Sequence, residues 1–212
     1  MIRTVVLALL PTLCGLPVVA QSPALDTVSV GHGRYATMQT LLEKTIFKVD
    51  VLTLDVRFGS ETAHRLERLV TSRRYSESLA DSIAVVAIDA RDAWARLRFK
   101  RHVSLDQFLN GIRQNLTRAR QAGIIDSVSY AMILQDLPVW YHFLADDGIS
   151  KGDEMLYRIR GDTLHTAYRT AAGEFLLEQT DTGPERRLSV LGGYFAPKSE
   201  FRKGLIKSLF GT

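Results

Sequence analysis

An amide side chain lies on a helix face that should be apolar. Residues 106–116 read DQFLNGIRQNL, and Asn115 lies seven positions after Phe108, on the stripe that also carries Ile112. A buried amide is stable only when its polar atoms are hydrogen-bonded. Asn115 therefore contacts a ligand, hydrogen-bonds to backbone or water, or lies at the exposed edge of the stripe. Phe108 and Ile112 correspondingly either line a pocket or pack as ordinary core.

A carboxylate lies in a second apolar segment. Asp50 stands between two valines in TIFKVDVLTLDVRF, residues 45–58. A carboxylate buried there needs a cationic partner or acquires a raised pKa. Asp50 is therefore a candidate ligand contact or general base. Alternatively it pairs with Lys44, Lys48 or an arginine of a neighbouring strand, or lies at a strand edge.

Other common site chemistries lack their residues. The five histidines are far apart and show no metal-ligand spacing. The sequence contains no Gly-x-Ser-x-Gly nucleophile elbow and no phosphate-binding loop. We therefore predict no metal site and no cofactor.

The first twenty residues, MIRTVVLALLPTLCGLPVVA, are typical of an export signal, with an early Arg3, an apolar run and a small-residue end at Ala20. The run is interrupted by prolines and a glycine, and a membrane span needs about 20 apolar residues. We predict that residues 1–20 are a cleaved signal peptide and that residues 21–212 form one domain without a membrane span. Cleavage would remove Cys14, the only cysteine, and with it any disulfide or thiol chemistry.

The charge pattern does not indicate a nucleic-acid partner. The chain has 27 lysines and arginines against 23 acidic residues, a formal charge of +4. The basic residues are scattered among acidic ones and form no ladder with aromatic side chains. We predict a solvated surface and no nucleic-acid binding, and the sequence identifies no protein partner.

The hydrophobic periodicity predicts an alternation of strands and helices. Residues 45–58 read as a strand buried on both faces, and residues 93–101 as a half-buried strand. Helical spacing covers residues 61–72 and 76–88. Ser104 and Gln107 form a capping box that opens a helix ending near Gly123, and a second helix, 127–137, is expected to end at Pro138.

After Pro138 the period becomes that of strands. Short strands are predicted at residues 153–160, 163–170, 175–180 and 187–190, then a helix at 199–210, with one further short strand at 27–30. This order indicates an α+β fold, an antiparallel sheet with helices on one face. A ligand cavity in such a fold would lie between the sheet and the helices.

Three segments together resemble the chalcone isomerase-like family, in particular its exported bacterial branch. They are FKVDVLTLDV at 47–56, RFKRHVSLDQFLNGIRQNL at 98–116, and the stretch from GISKGDEMLYRI at 148–159 to FRKGLIKSLFG at 201–211. The resemblance covers roughly residues 27–211. It implies an open-faced β-sandwich, a large antiparallel sheet with helices packed on one face, and it implies export to the bacterial periplasm.

The resemblance also implies where a site would lie. In the plant isomerases of this family an Arg, a strand Thr, and a helix Tyr and Asn contact the substrate, and related fatty-acid-binding members hold a carboxylate with an Arg and a Tyr. The helix Asn corresponds to Asn115, the helix Tyr to Phe108 and the strand Thr to Asp50. The Arg falls near Leu42, and Lys44 beside it could supply a charge but not the guanidinium fork.

The sequence therefore predicts an exported, non-catalytic protein that binds a small apolar, fatty-acid-like or aromatic ligand between sheet and helices. The candidate ligand contacts are Lys44, Asp50, Phe108, Ile112 and Asn115. One alternative is an intramolecular lyase or isomerase that acts on an enone, with Asp50 as base and Asn115 as hydrogen-bond donor. The other is an interaction module whose cleft is filled by its own side chains.

Overall fold

A computed structural model describes residues 35–44 and 49–210. Their strands are β1 Ala36–Lys44, β2 Val49–Phe58, β3 Asp92–Phe99, β4 Glu154–Arg160, β5 Thr163–Arg169 and β6 Phe175–Thr182. Their helices are α1 Ser60–Val70, α2 Glu77–Ile88, α3 Leu105–Gln121, α4 Ser127–Trp140, α5 Pro184–Phe195 and α6 Arg202–Ser208. A 3₁₀ turn follows α4 at His142–Leu144.

The six strands form one antiparallel sheet in which every strand lies beside its predecessor in the chain. Alternation along β2 places Leu54 and Phe58 on the side that carries the helices, because successive side chains of a strand point to opposite faces. Their partners on β3, Leu97 and Ala93, point to the same side. The predicted α+β class, a large antiparallel sheet with helices packed on one face, is confirmed.

The opposite face of the sheet carries charged side chains that pair across strands. Glu154 on β4 is buried and bridges Arg98 of β3, at 2.6 Å, and Arg169 of β5, at 2.5 Å. Burial acts to raise the pKa of Glu154, but the hydrogen bonds and charges of Arg169 and Arg98 outweigh it and lower the pKa below its ordinary value. These ion pairs connect three adjacent strands behind the helical layer.

The register of β1 and β2 changes near the start of β2. Leu42 pairs with Leu52 but Glu43 pairs with Asp50, so Val51 is an extra residue in β2. Such a bulge bends a strand and increases its twist. Val51 and Leu52, although consecutive, line the same cavity, which is described below.

Several sequence predictions agree with the structure and others are wrong. The capping box at Ser104 and Gln107 opens α3 as predicted. Residues 187–190 were expected to form a strand, but they belong to α5, which begins with Pro184 in its first turn, a position that suits proline. The helix expected to end at Pro138 continues to Trp140, because a proline in the last turn interrupts only one hydrogen bond.

β1 was not predicted, since its mixed polar sequence ATMQTLLEK gives a weak strand pattern. The C-terminal helix is shorter than predicted, running from Arg202 to Ser208. The predicted signal peptide at 1–20, the short strand at 27–30 and the first part of the strand at 45–58 lie outside the described residues. None of the described helices is both long and apolar enough to cross a membrane.

Candidate functional site

A cavity of about 420 Å³ lies between α3 and the ends of β2 and β3. Its walls are mainly apolar, with Leu52, Leu97 and Phe99 from the sheet, Phe108 from α3, and Phe201 from the segment before α6. Pockets that hold small organic ligands commonly measure about 300–1,000 Å³ and are lined in this way. We refer to this space as the larger cavity.

Both ends of α3 are fixed by local contacts. At its start, the Ser104 hydroxyl accepts a hydrogen bond from the Gln107 backbone N–H at 3.3 Å, and the Gln107 side chain caps Ser104 in return at 3.4 Å. The preceding residue, Val103, forms two backbone hydrogen bonds with Ile149, at 2.8 and 3.0 Å. The β3–α3 connection is therefore tied to the segment that leads into β4.

Farther along, α3 lies close to α5 because two glycines occupy the contact. A Cβ added to Gly193 would lie 3.3 Å from the Cβ of Asn115, and one added to Gly192 would lie 2.8 Å from Ile124. Small residues allow two helix backbones to approach closely. The helix thus packs tightly on α5 but leaves space above β2 and β3.

Asn115 lies at the wall of the larger cavity and is half-buried. Its side-chain oxygen accepts a hydrogen bond from the Arg118 guanidinium at 3.1 Å. Arg118 also contacts the Glu200 carboxylate at 3.4 Å, and both charged residues line the same cavity. The amide is therefore positioned by a neighbouring arginine, which sequence reasoning had not identified.

Arg101 contributes a second guanidinium to the larger cavity. Its Nη1 donates to the carbonyl of His102 at 3.3 Å, while its Nε is buried without a hydrogen-bond partner. No carboxylate among the described residues forms an ion pair with it. A buried donor left unsatisfied costs roughly 1–3 kcal/mol, so Arg101 is suited to receive an acceptor from a ligand.

Three tyrosines form a buried polar cluster beside the cavity. Tyr141, Tyr157 and Tyr194 lie close to one another, with Tyr157 on β4 and Tyr194 on α5. Burial raises the pKa of Tyr157 to about 12, and burial also raises the pKa of Tyr141 and of Tyr194 well above its ordinary value. These phenols are neutral at physiological pH, and they can exchange hydrogen bonds but do not act as bases.

A smaller cavity of about 80 Å³ lies next to the larger one, bounded by α3, α4, α5 and strands β4–β6. Four side chains line both cavities, and we call this group the partition: Ile112, Asn115, Tyr157 and Tyr194. The smaller cavity also contains polar groups of Gln179, Asp181 and Arg186.

The structure brings three of the predicted ligand contacts together. Phe108, Ile112 and Asn115 line the larger cavity, and Phe108 packs edge-on against Tyr141 with ring centroids 5.0 Å apart. Their contact with a ligand stays a prediction. Asp50 lies in β2 opposite Glu43 at the bulge.

Lys44 lies at the end of β1, paired with Val49. The side chains of Lys44 and Asp50 lie outside the described part of the structure, so their predicted roles also stay predictions.

Sequence reasoning missed Arg101, Arg118, Tyr157 and Tyr194 as candidate site residues. Alternation along β4 places Tyr157 on the helical side of the sheet, which is a signal available in the sequence, but Tyr141 and Tyr194 meet it only through tertiary packing. Glu200 is the only carboxylate among the described residues lining the larger cavity, and it is paired with Arg118. Within the described ranges, no three His, Cys, Asp or Glu side chains are grouped closely enough to hold a metal ion.

Comparison with known proteins gives a match of fold. The sequence matches no family profile and no curated protein. The structure matches the crystal structure of an Arabidopsis thaliana fatty-acid binding protein with a TM-score of 0.55 and 11% sequence identity, over 82% of this chain and 85% of that chain. The chain therefore has the chalcone isomerase-like fold, as the resemblance in sequence had implied. At this level of identity the similarity establishes the fold alone.

Proposed function

We propose that this protein is a non-catalytic binding protein that holds a small, mostly apolar molecule with one anionic end in the larger cavity. Fatty acids and aromatic carboxylic acids have this chemistry. The observation that carries the proposal is the apolar cavity of about 420 Å³ between α3 and the sheet. Its size lies within the range of about 300–1,000 Å³ that is typical of small-molecule sites.

The charges at the cavity support an anionic ligand. Among the described residues, two guanidiniums, of Arg101 and Arg118, line it together with a single carboxylate, that of Glu200. An arginine fork binds a carboxylate with two parallel hydrogen bonds, and such charge-assisted bonds are roughly twice as strong as neutral ones. The solved protein of the same fold is described as a fatty-acid binding protein, which agrees with this ligand class.

The lining favours binding over catalysis. Phe108 has no hydroxyl at the position where the resemblance implies a substrate-contacting tyrosine, and Glu200 is neutralised by Arg118. The raised pKa values of the buried tyrosines keep them protonated near neutral pH, so none of them provides a phenolate that could accept a proton. Turnover of an enone by the wild-type chain, lost in Asp50→Asn, would instead support the isomerase alternative.

Titration of the purified chain with dodecanoate, followed by isothermal calorimetry, tests the proposal. We expect Arg101→Met to weaken dodecanoate binding by about 10- to 100-fold, because a hydrogen bond to a charged group contributes about 1.5–3 kcal/mol. Binding of the uncharged alcohol dodecanol should change little. Arg120→Met is the matched control, since Arg120 lies on α3, is exposed and packs on Tyr130 away from the cavity.

Two results would contradict the proposal. One is the absence of binding by the wild-type chain to dodecanoate and to an aromatic acid such as cinnamate. The other is an equal loss of affinity in Arg101→Met and Arg120→Met, which would show that the anionic end does not depend on the cavity arginine.

We further propose that the protein acts in the bacterial periplasm as a member of the exported branch of the chalcone isomerase-like family. The support is the signal-like sequence of residues 1–20. N-terminal sequencing of the protein recovered from cell fractions should give Gln21 as the first residue in the periplasmic fraction. An unprocessed chain that is found only in the cytoplasm would contradict export.

A further inference from the structure

The partition separates the larger cavity from the smaller one, and residues of α3 line both. The larger cavity is bounded by β2, β3 and α3, and the smaller one by α3, α4, α5 and the last three strands. Only Ile112, Asn115, Tyr157 and Tyr194 line both. Displacement of this thin layer of side chains would join the two spaces into one elongated cavity.

The smaller cavity is too small to be a ligand site by itself. Its volume of about 80 Å³ is well below the about 300 Å³ at which small-molecule pockets begin. Most of its wall is apolar, with Leu137, Leu164 and Leu177 among the contributing residues. Such a space suits the end of an alkyl chain that enters from elsewhere.

Two of the partition residues are one turn apart on α3. Ile112 and Asn115 therefore project to the same side of the helix, between the two cavities. The Asn115 side chain is held by Arg118, whose other contact, with Glu200, is long at 3.4 Å. An alkyl chain lying in the larger cavity would meet the Asn115 amide, and burying the amide against methylene groups is unfavourable.

We propose that Ile112 and Asn115 form an internal stop that limits the length of the ligand. In the wild-type chain the tail of a bound acid ends at the partition, so acids that fit the larger cavity bind best. Removal of either side chain opens the smaller cavity to the tail, and longer acids are then accepted. This inference rests on the proposed function and adds to it the residues that set ligand length.

The test measures the affinities of a series of straight-chain acids from octanoate to octadecanoate for the wild-type chain, Asn115→Ala and Ile112→Ala. We expect the best-bound length to increase in both variants. Affinity for hexadecanoate relative to decanoate should rise at least about tenfold, because each methylene moved from water to an apolar site contributes about a fourfold factor. Leu109→Ala is the matched control, since Leu109 is buried on α3 but lines neither cavity.

The outcomes separate this inference from the function on which it rests. An unchanged length preference in Asn115→Ala and Ile112→Ala, with acids still bound, would overturn the stop and leave the binding function standing. A shift of equal size in Leu109→Ala would also overturn it, because general loosening of α3 would then be the cause. Absence of binding by every chain to every acid would overturn the binding function and the stop with it.

A structure of Asn115→Ala with hexadecanoate gives a second readout. The tail should pass Tyr157 and end between Leu164 and Leu177. A tail that remains in the larger cavity or folds back toward Phe99 would contradict the stop, whatever the affinities.

Discussion

Between the helices and the sheet, the end of the layer near Phe58 is filled by side chains, whereas the end near Phe99 encloses a cavity. At the filled end Leu54, Phe58, Ile83 and Phe195 have no exposed surface, and the rings of Phe58 and Phe195 are 6.0 Å apart. At the other end the larger cavity takes up about 420 Å³ under α3.

The same two strands run through both ends, so the cavity does not arise from a shortage of apolar residues. β2 and β3 present apolar side chains toward the helices along their whole described length. The difference lies in what covers them. Helices α1, α2 and α5 contribute buried side chains at the filled end, whereas α3 is the roof of the other end and lies beside the β2 bulge. The apolar residues of β2 and β3 therefore explain why this face of the sheet is buried, and the positions of the helices above it determine where a cavity remains.

Truncation of one large side chain at each end should give the largest difference. We expect Phe58→Ala to lower the free energy of unfolding by about 3–5 kcal/mol, because it leaves a hole in a filled core. Ile112→Ala, at the cavity wall, should cost less than about 2 kcal/mol, since part of its surface already faces open space. Urea unfolding measures both changes. Equal losses would show that the layer is equally packed at its two ends.

The ion pairs behind the cavity should support that end of the sheet. We expect Glu154→Gln to lower the free energy of unfolding by about 1–3 kcal/mol at pH 7, because it leaves Arg98 and Arg169 without their buried carboxylate. The pKa of Glu154 is lowered in the folded state, so its contribution is present above the ordinary glutamate pKa and is lost as pH falls through the folded value.

Unfolding measured between about pH 7 and pH 3 should therefore show a smaller loss of stability with acid for Glu154→Gln than for the wild-type chain. Parallel pH dependence in the two chains would contradict this role. Arg160→Gln on β4, an exposed residue of the same face, is a suitable control for a change of surface charge.

The tyrosine cluster at the partition should produce a smaller effect with the opposite pH dependence. We expect Tyr157→Phe to change the free energy of unfolding by no more than about 1.5 kcal/mol near neutral pH, since the substitution removes one hydroxyl beside Tyr141. The folded pKa of Tyr157 is about 12, above its ordinary value of 10.0, so its stabilisation is complete below pH 10 and is lost between pH 10 and 12.

Alkaline unfolding of the wild-type chain should thus be steeper than that of Tyr157→Phe. Tyr130→Phe, which changes a half-buried tyrosine outside the cluster, provides the comparison. Identical slopes for all three chains would show that the hydroxyl of Tyr157 is solvated rather than buried.

Substitution of a glycine by alanine should slightly increase the free energy of unfolding at the cavity end and should decrease it at the filled end. A Cβ at Gly111 on α3 would meet no other atom within 4 Å, so Gly111→Ala should stabilise the chain by about 0.5–1 kcal/mol through helix propensity. A Cβ at Gly204 would lie 1.9 Å from the Thr40 hydroxyl, so Gly204→Ala should destabilise it. Thermal unfolding measures both changes. Destabilisation by Gly111→Ala would indicate that α3 packs closer to the sheet than the structure shows, with no space for the added methyl group.

Much of the architecture was predictable because it depends on local patterns. The sequence predicts α3 from the helical spacing of Phe108, Ile112 and Asn115 and from the cap at Ser104. It predicts β3 to β6 from strand-like residue patterns and the turns between them. The strand expected at residues 187–190 was wrong because Leu188 and Val190 alternate, whereas the helical face that α5 buries, including Leu191 and Phe195, depends on contacts with distant elements.

The candidate site was less predictable for the same reason. Asn115 gave a signal because an amide interrupts a hydrophobic stripe. Arg101 looks like one of many surface cations in the sequence, and only the fold shows that its Nε is buried without a partner. The residues of the partition come from α3, β4 and α5, each about 40 residues from the next in sequence. Contacts between such distant residues depend on tertiary structure and cannot be deduced from local patterns.

The strictly sequential sheet has a consequence for the order in which the chain can be assembled during synthesis. Each strand can join the one made just before it, but Tyr194, Glu200 and Phe201, which complete the larger cavity, lie beyond all six strands. A nascent chain that has just completed β6 can therefore already have its sheet before the residues that close the larger cavity have been made. The larger cavity would then be complete only after α5 and the segment that follows it to Phe201 have been made and have packed on the sheet.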